Sequence, residues 1–253
     1  MKTLTTALLL GAAGLACTTA QADTGKLLLT GGASSIAGAA GGGLTPWAVI
    51  GSNATAGEIG GSVSVTRTST QDYGLTAYGA AVGFQDRVEL SLARQDFDAS
   101  PAIALNGVAP FGVTPGQHIL MDVIGVKLKV AGDAVLDSDS LMPQIAMGVE
   151  YKSVTPGSLA SVLNFLGTRT NGTDFYVSAT KLFLAQGLLL NATLRNTNAN
   201  QNGLLGFGSA APGKDSRSWV PEVSAAYLLS KNWAVGAEYR AKPNNLAFAG
   251  AAF

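Results

Sequence analysis

The stretch AMGVEYK (146–152) returns 88 positions later as AVGAEYR (234–240). Each copy places a Glu and a Lys or Arg two residues apart, with a Tyr between them. Successive side chains of a β-strand point to opposite faces, so the two charged side chains share one face and the Tyr lies on the other. This pattern is typical of a membrane barrel strand, with charges in a wet lumen and the Tyr at the lipid boundary.

The same alternation of apolar and polar residues predicts nine central strands. In DRVELSLARQ (86–95), for example, Val88, Leu90 and Leu92 alternate with polar or small residues. Tilted membrane strands need about 9–11 residues, whereas soluble strands average about 5–6. One segment falls out of phase near Lys181, which predicts a β-bulge there. The predicted strands are 59–67, 76–84, 86–95, 119–130, 143–152, 173–184, 187–196, 219–229 and 232–241.

Three further strands are expected near the ends of the chain. They lie at 25–31, 44–52 and 245–253, which gives an all-β, antiparallel up-and-down transmembrane β-barrel of about 12 strands, with 10–14 as the range. The stretch 25–52 has an alternative interpretation as an inward-folded segment around the Gly-rich residues 38–43. The final aromatic residue, Phe253, resembles the recognition signal by which outer-membrane barrels meet the barrel-assembly machinery.

The connections between the predicted strands alternate in length. Short turns at 84–87, 184–187 and 229–232 alternate with long loops at 97–118, 153–172 and 197–217, and 132–142 forms a longer turn on the short side. Outer-membrane barrels have short periplasmic turns and long outer loops. We therefore expect ligand contacts, if any, in the outer loops 97–117 and 197–217.

The N-terminus predicts export. Residues 1–22 carry a Lys, a short apolar run and the small-residue site AQA, which together indicate a signal peptide followed by a barrel domain at 23–253. Lipoprotein processing at Cys17 is the alternative. The remaining chain has 15 basic residues against 16 acidic ones and no cysteine, so it offers no disulfide or thiolate chemistry and no electrostatic reason to bind nucleic acid.

Ten charged side chains fall on the polar faces of the predicted strands. A basic residue on the lipid face at mid-membrane costs about 2–4 kcal/mol, so we expect these charges in the lumen. They could line a conducting pore or form an ion-pair lattice that fills a narrow barrel, because open channels are typical of about 16–18 strands. The lumen-facing charges are Arg87, Glu89, Lys127, Lys129, Glu150, Lys152, Arg195, Glu222, Glu238 and Arg240.

Aromatic residues are candidates for the two membrane-interface girdles. A soluble β-sandwich would also use aromatics, in its core. Arg94 is exceptional because it falls on the apolar face, and we expect it at the outer rim, within reach of lipopolysaccharide phosphates. The predicted interface aromatics are Trp47, Phe84, Tyr151, Phe175, Tyr227, Trp233 and Tyr239.

Nothing in the sequence indicates catalysis, a metal or a cofactor. His118 is the single histidine, and neither Ser91 nor Ser178 stands at a spacing that favours a triad. No His or Cys cluster suits zinc or haem. The Asp residues of LDSDS (136–140) lack the later Gly and Glu of an EF-hand loop, and GAAGGG (38–43) lacks the Lys of a phosphate loop.

Several motifs resemble a family of uncharacterised proteobacterial outer-membrane β-barrel proteins, known only as a domain of unknown function. The motifs are GKLLLTGG, GGGLTPWAVIG, DRVELSLARQ, TDFYVSATKLFLAQGLLLN, GLLGFG and AVGAEYRAKPNNL, and they cover roughly 25–246. Family members continue with further strands after the stretch that matches KPNNL. The resemblance implies location and fold; it implies no reaction, ligand or catalytic residue.

These patterns predict a non-enzymatic β-barrel in the outer membrane of a Gram-negative bacterium, porin-like and serving as a passive channel for small or apolar solutes. A structural or adhesive barrel with a filled lumen and an exported soluble β-sandwich are the alternatives. The expected partners are outer-membrane lipid, lipopolysaccharide and the barrel-assembly machinery, and the oligomeric state stays open.

Overall fold

The structure is a computed structural model that describes residues 33–52, 54–71, 73–99, 116–134, 141–212, 215–230 and 233–247. Nine strands form one antiparallel sheet in which each strand pairs with the next along the chain. The strands are β1 (Ile59–Ser69), β2 (Gly74–Phe84), β3 (Val88–Asp98), β4 (His118–Ala131), β5 (Gln144–Thr155), β6 (Asn171–Phe183), β7 (Leu188–Thr197), β8 (Ser218–Ser230) and β9 (Trp233–Arg240).

All nine central segments that the alternation predicts are strands, and the up-and-down order is also confirmed. The sheet curls into a half-barrel that does not close, and in the described part of the chain β1 and β9 are its free edges. The expected count of about 12 is therefore wrong for this structure. Of the three expected end strands, 25–31 and most of 245–253 lie outside the described residues, and 44–52 is not a strand.

The two faces of the sheet are the reverse of those in a water-soluble protein. The convex face is apolar and exposed, with Val63 82% and Val235 59% accessible. The concave face is polar and buried, with Glu89 and Glu222 fully inaccessible. Leu90 and Val149 lie exposed on the convex side, so they are not interleaved between two stacked sheets as a sandwich would require.

Residues 33–52, which we call the plug, fold into the concave side of the half-barrel. The plug contains bends and isolated bridges and has no strand. At Gly38, φ is +88° and a Cβ would collide with the backbone carbonyl of Leu92 on β3, so glycine is required for this close approach. The inward-folded interpretation of this stretch is confirmed as far as it is described, and the strand at 44–52 is wrong.

The bulge expected near Lys181 is absent, because β6 pairs with β7 without a break from Phe175 to Phe183. The register shifts instead between Lys129 and Ala131 and at the end of β8. The alternation of polar and apolar residues changes phase near Lys181 because of packing against the plug. Leu182 lies on the concave side in a cluster with Trp47 and Val49 of the plug, so an apolar residue is buried there.

The long β5–β6 and β7–β8 connections lie at one end of the sheet, which we call the loop end, and the short β2–β3 and β6–β7 turns lie at the opposite end, the turn end. The β5–β6 connection contains the short helix α1 (Ala160–Phe165), and the β7–β8 connection folds back between 198 and 212. Together with residues 241–247 they cover the concave side at the loop end, where Leu246 is fully buried. The described residues contain no helix with the length and apolar character needed to cross a membrane.

Candidate functional site

Near the turn end of β3 and β4, the concave face holds a buried ion pair that connects the plug to the sheet. Lys127 Nζ of β4 lies 3.0 Å from Glu89 Oε1 of β3, and both side chains are buried. Lys127 also donates to the carbonyl oxygens of Ala40 (3.2 Å) and Val49 (2.8 Å). Glu89 accepts from the backbone N–H groups of Ala40 (3.1 Å) and Gly51 (2.5 Å). One ion pair therefore satisfies backbone groups in two separate parts of the plug, at Ala40 and at residues 49–51.

A second ionic network connects five neighbouring strands, with Arg195 of β7 at its centre. Arg195 Nε donates to Glu222 Oε1 at 2.6 Å and its Nη1 to Glu150 Oε2 at 2.7 Å. Lys152 Nζ lies 2.6 Å from Asp174 Oδ2 and 3.2 Å from Glu150 Oε2. Three acids face three bases, so the network is neutral. Its members are Glu150, Lys152, Asp174, Arg195, Glu222 and Arg240.

A glycine on β5 makes room for the aromatic side of this network. The Arg195 guanidinium stacks over the Tyr176 ring at 5.1 Å from its centroid. Gly148 lies directly against that ring, and a Cβ at this position would collide with it. The ring can lie flat against β5 only because position 148 has no side chain, and it thereby positions the guanidinium toward its three carboxylates.

We expect Gly148→Ala to lower the free energy of unfolding by about 1–3 kcal/mol, the usual cost of overpacking a filled interior. The added methyl displaces the Tyr176 ring and, with it, Arg195. Urea unfolding of the protein in lipid vesicles measures the change. Gly57→Ala serves as the comparison and should not show the overpacking cost, because a Cβ at position 57 meets open space. Only the φ of +92° at Gly57 opposes that substitution. Equal stability of Gly148→Ala and the parent protein would contradict this packing.

The ten expected lumen charges occupy three kinds of position. Lys129 and Glu238 are half-buried: Lys129 Nζ lies 2.7 Å from Asp86 Oδ2, and Glu238 accepts from Leu44 N–H at 2.7 Å. Arg87 lies in the turn before β3 and is exposed, so it is not part of the interior. The other seven are buried on the concave face: Glu89, Lys127, Glu150, Lys152, Arg195, Glu222 and Arg240.

The sequence analysis missed Asp174, which is fully buried and contacts both Lys152 and Arg195. The signal was present, because Asp174 alternates with Tyr176 and Ser178 in phase with the concave residues of β6. The alternation of polar and apolar residues breaks near Lys181 on the same strand, so the sequence did not show which face of β6 is concave.

Most of the expected interface aromatics lie exposed on the convex face, and Phe84 is half-buried at the end of β2. The prediction that Trp47 lies at the membrane interface is wrong. Trp47 is buried in the plug, where its Nε1 donates to Ser224 Oγ at 2.8 Å. Its indole fills the space between the plug and β6–β8. Tyr78 and Trp219 are exposed on the convex face and were missed. The exposed members of the predicted set are Tyr151, Phe175, Tyr227, Trp233 and Tyr239.

Arg94 lies exposed on the convex face, as its position in the alternation predicts, but it is engaged by a neighbour. Its Nε and Nη2 donate to the two carboxylate oxygens of Asp122 on β4, at 2.6 and 2.8 Å. This bidentate pair neutralises the cation that was expected to meet lipopolysaccharide phosphates. His118 begins β4, and its Nδ1 lies 2.6 Å from Asp96 Oδ1. No group of three or more metal-binding side chains is found among the residues that the structure describes.

The β5–β6 and β7–β8 connections are joined to each other at the loop end. Arg169 and Phe207 exchange two backbone hydrogen bonds, and the Arg169 guanidinium donates to both carboxylate oxygens of Asp215. These hydrogen bonds hold the pKa of the exposed Asp215 carboxyl below its ordinary value of 3.8. The ion pair therefore persists throughout the neutral pH range and fixes the base of the β7–β8 connection.

The geometry thus consists of a wall that is apolar outside and ionic inside, with its interior filled by the plug and by the loop-end connections. Comparison with curated proteins and with solved structures gives no match. A family model matches residues 30–252, which is nearly the whole chain. The chain therefore belongs to the family described as Protein of unknown function (DUF3034).

Proposed function

We propose that this chain is an integral β-barrel protein of a bacterial outer membrane, non-enzymatic, with a lumen filled by its own residues. The observation that carries the proposal is the reversed polarity of the sheet, which is apolar on the exposed convex face and ionic on the buried concave face. Alternating apolar-out and polar-in strands are the pattern of membrane barrels. The signal peptide expected at 1–22 and the resemblance to an outer-membrane family support the same location.

The convex face supports a lipid environment on energetic grounds. Exposed large apolar residues occur on all nine strands, whereas soluble monomers rarely expose contiguous apolar patches above a few hundred Å². In lipid this surface carries no hydrophobic penalty. The buried charges, which would be costly on the lipid side, are paired with one another on the concave side.

The free edges of the sheet are part of the proposal. Unpaired backbone N–H and C=O groups cost several kcal/mol each in hydrocarbon, so open sheet edges do not face lipid. In the described part of the chain, β1 and β9 lack a neighbour on their outer sides. We therefore propose that further strands close the sheet between β9 and β1 in the membrane.

A second candidate function is a passive channel for small or apolar solutes. It is favoured by the apolar lining of the concave face at the loop end, where Ile119, Met121 and Val154 are buried. The two functions differ in whether solute passes the plug. Current across planar bilayers and uptake of a small solute that does not cross lipid unaided into vesicles containing the protein distinguish them, because a filled structural barrel supports neither.

The partners follow from the location: outer-membrane lipid and lipopolysaccharide around the convex face, and the barrel-assembly machinery during insertion. Fractionation and gel migration test the proposal directly. A membrane barrel is expected in the outer-membrane fraction, to need detergent for extraction, and to migrate differently before and after boiling. A protein that is released without detergent and migrates identically in both states would be a soluble β-sheet protein instead.

A single charge on the convex face gives a quantitative test. We expect Val126→Arg, in the middle of β4, to lower the stability in membranes by about 2–4 kcal/mol, the cost of Arg at the bilayer midplane. Phe165→Arg is the control, because Phe165 is also apolar and exposed but lies on α1 outside the wall. Denaturant unfolding from vesicles measures both. A Val126→Arg protein as stable as the control would place the convex face in water.

A further inference from the structure

The concave face changes character toward the loop end. In its middle and toward the turn end, β3, β4 and β5 present charged residues such as Glu89, Lys127 and Glu150. Nearer the loops, the same strands present apolar side chains, and these form two adjoining clusters. We call this lining the apolar mouth; its wall residues are Phe97, Ile119, Met121, Val123 and Val154.

The apolar mouth is filled from the β7–β8 connection. Leu204 packs against both clusters, the one that contains Met121 and Val123 and the one that contains Ile119 and Val154, and Leu205 is buried in the second. Both leucines lie in the short turn 201–206, which we call the stopper. Leu159 and Leu163 of the β5–β6 connection and Leu246 complete the covering.

The stopper is a self-contained unit. Its backbone hydrogen bonds run among residues 200–206, including Leu205 N–H to Asn200 O at 3.2 Å and Gly206 N–H to Gly203 O at 2.9 Å. Asn200 adds a side-chain bond to Gly208 O at 2.8 Å. The base is fixed separately by the exchange of hydrogen bonds between Arg169 and Phe207. Leu204 and Leu205 enter the mouth through apolar contacts, so another apolar group can replace them without breaking the fold of the turn.

We propose that the apolar mouth is a binding site for a single hydrocarbon chain, and that Leu204 and Leu205 occupy it when no ligand is present. Two leucine side chains correspond to about eight carbon atoms, so a medium-chain aliphatic compound matches the volume they fill. Lys152, the cation beside Gly203, is engaged by Glu150 and Asp174, and this favours an uncharged head group. This proposal depends on the proposed membrane barrel. It names medium-chain aliphatic compounds as the substrate class of the second candidate function, the passive channel.

Photolabelling tests this site. The protein in lipid nanodiscs is irradiated with a diazirine analogue of decanol, and labelled peptides are mapped by mass spectrometry. Labelling of peptides containing Ile119, Val154 or Leu205 is expected, and unlabelled decanol in excess should reduce it at least fivefold. Labelling confined to convex residues such as Leu190 would overturn the site while leaving the membrane location intact. Absence of convex labelling would instead contradict the membrane location itself.

A reversible cross-link controls for folding. In a Cys17→Ser background, the pair Met121→Cys and Leu204→Cys joins the stopper to the wall, because Leu204 packs against the cluster that contains Met121, and Met121 Sδ lies beside the neighbouring Gly203. We expect oxidation to reduce labelling of the mouth at least tenfold and a reducing agent to restore it in the same sample. Labelling that is unchanged by oxidation would overturn the proposal.

Removing the competing side chains should have the opposite effect. We expect Leu204→Ala/Leu205→Ala to raise labelling of the mouth about tenfold, because the site is then empty. Leu190→Ala/Leu194→Ala is the matched control, since these leucines are exposed on the convex face. An apolar cavity made by deleting packed leucines can itself take up a hydrocarbon, so the labelling of the parent protein decides whether the site exists before the change. Mouth labelling that stays unchanged or falls in the double variant would overturn the proposal.

Discussion

Replacing residues 35–50 of the plug by a flexible Gly/Ser linker of equal length is expected to produce a steady ion conductance, whereas the parent protein, as the filled barrel proposed above, is expected to carry none. The plug lies across the concave face from β2 to β9, where Glu238 accepts from Leu44 N–H and Lys127 donates to Val49 O. Without it, the wall beneath presents charged and hydroxyl side chains that water can solvate. Single-channel recording in planar bilayers measures the change.

The effect should be specific to the plug. Replacing 160–165, the helix α1, by the same kind of linker alters the loop end but leaves the plug and both ion networks in place, so this variant should stay silent. Heat-modifiable migration shows whether each variant is folded. A folded, inserted protein without its plug that still carries no current would mean that the interior is closed by other residues, and the plug would then have a purely structural role.

The strands of this fold could be predicted because their signal is local. In AMGVEYK, each residue specifies its face by its own polarity, and the alternation continues long enough to mark a strand without reference to any partner. The same local signal predicted that Glu150 and Arg195 share an interior. It could not say which acid meets which base, because a ladder of nine strands brings residues 45 positions apart into contact at 2.7 Å.

The sequence offered an inward fold of the plug only as an alternative to two strands, because the conformation of the plug depends on distant residues. The stretch TPWAVIGS is apolar enough to read as a strand, and nothing within it shows that Lys127 and Glu89 bind its backbone. Trp47 was expected at the lipid interface for the same reason. Its partner, Ser224, lies 177 positions away. Strand count is equally non-local, since closure depends on how the two edges of the sheet are joined.

Replacing Arg195 by Met is expected to destabilise the protein by about 3–5 kcal/mol, the usual result of removing one partner from a buried ion pair. Arg195 is the cation that links Glu150, Asp174 and Glu222, each on a different strand. Two carboxylate oxygens of the network, Asp174 Oδ1 and Glu222 Oε2, already lack a hydrogen-bond partner among the described residues. Arg240 Nε and Nη2 also lack a hydrogen-bond partner among these residues, and Nε lies 3.1 Å from Glu222 Oε1. Without Arg195, three buried carboxylates therefore face only two cations, Lys152 and Arg240.

The size of this loss separates a buried ionic lattice from a hydrated pore. Arg169→Met is the matched control, because it breaks an exposed bidentate pair with Asp215 and should cost only about 0–1 kcal/mol. The double variant Arg195→Met/Glu222→Gln should recover part of the stability, since it removes one uncompensated buried charge. Denaturant unfolding from vesicles measures all three variants. If Arg195→Met costs no more than the control, water already screens these charges, and the interior is a hydrated conduit rather than a filled one.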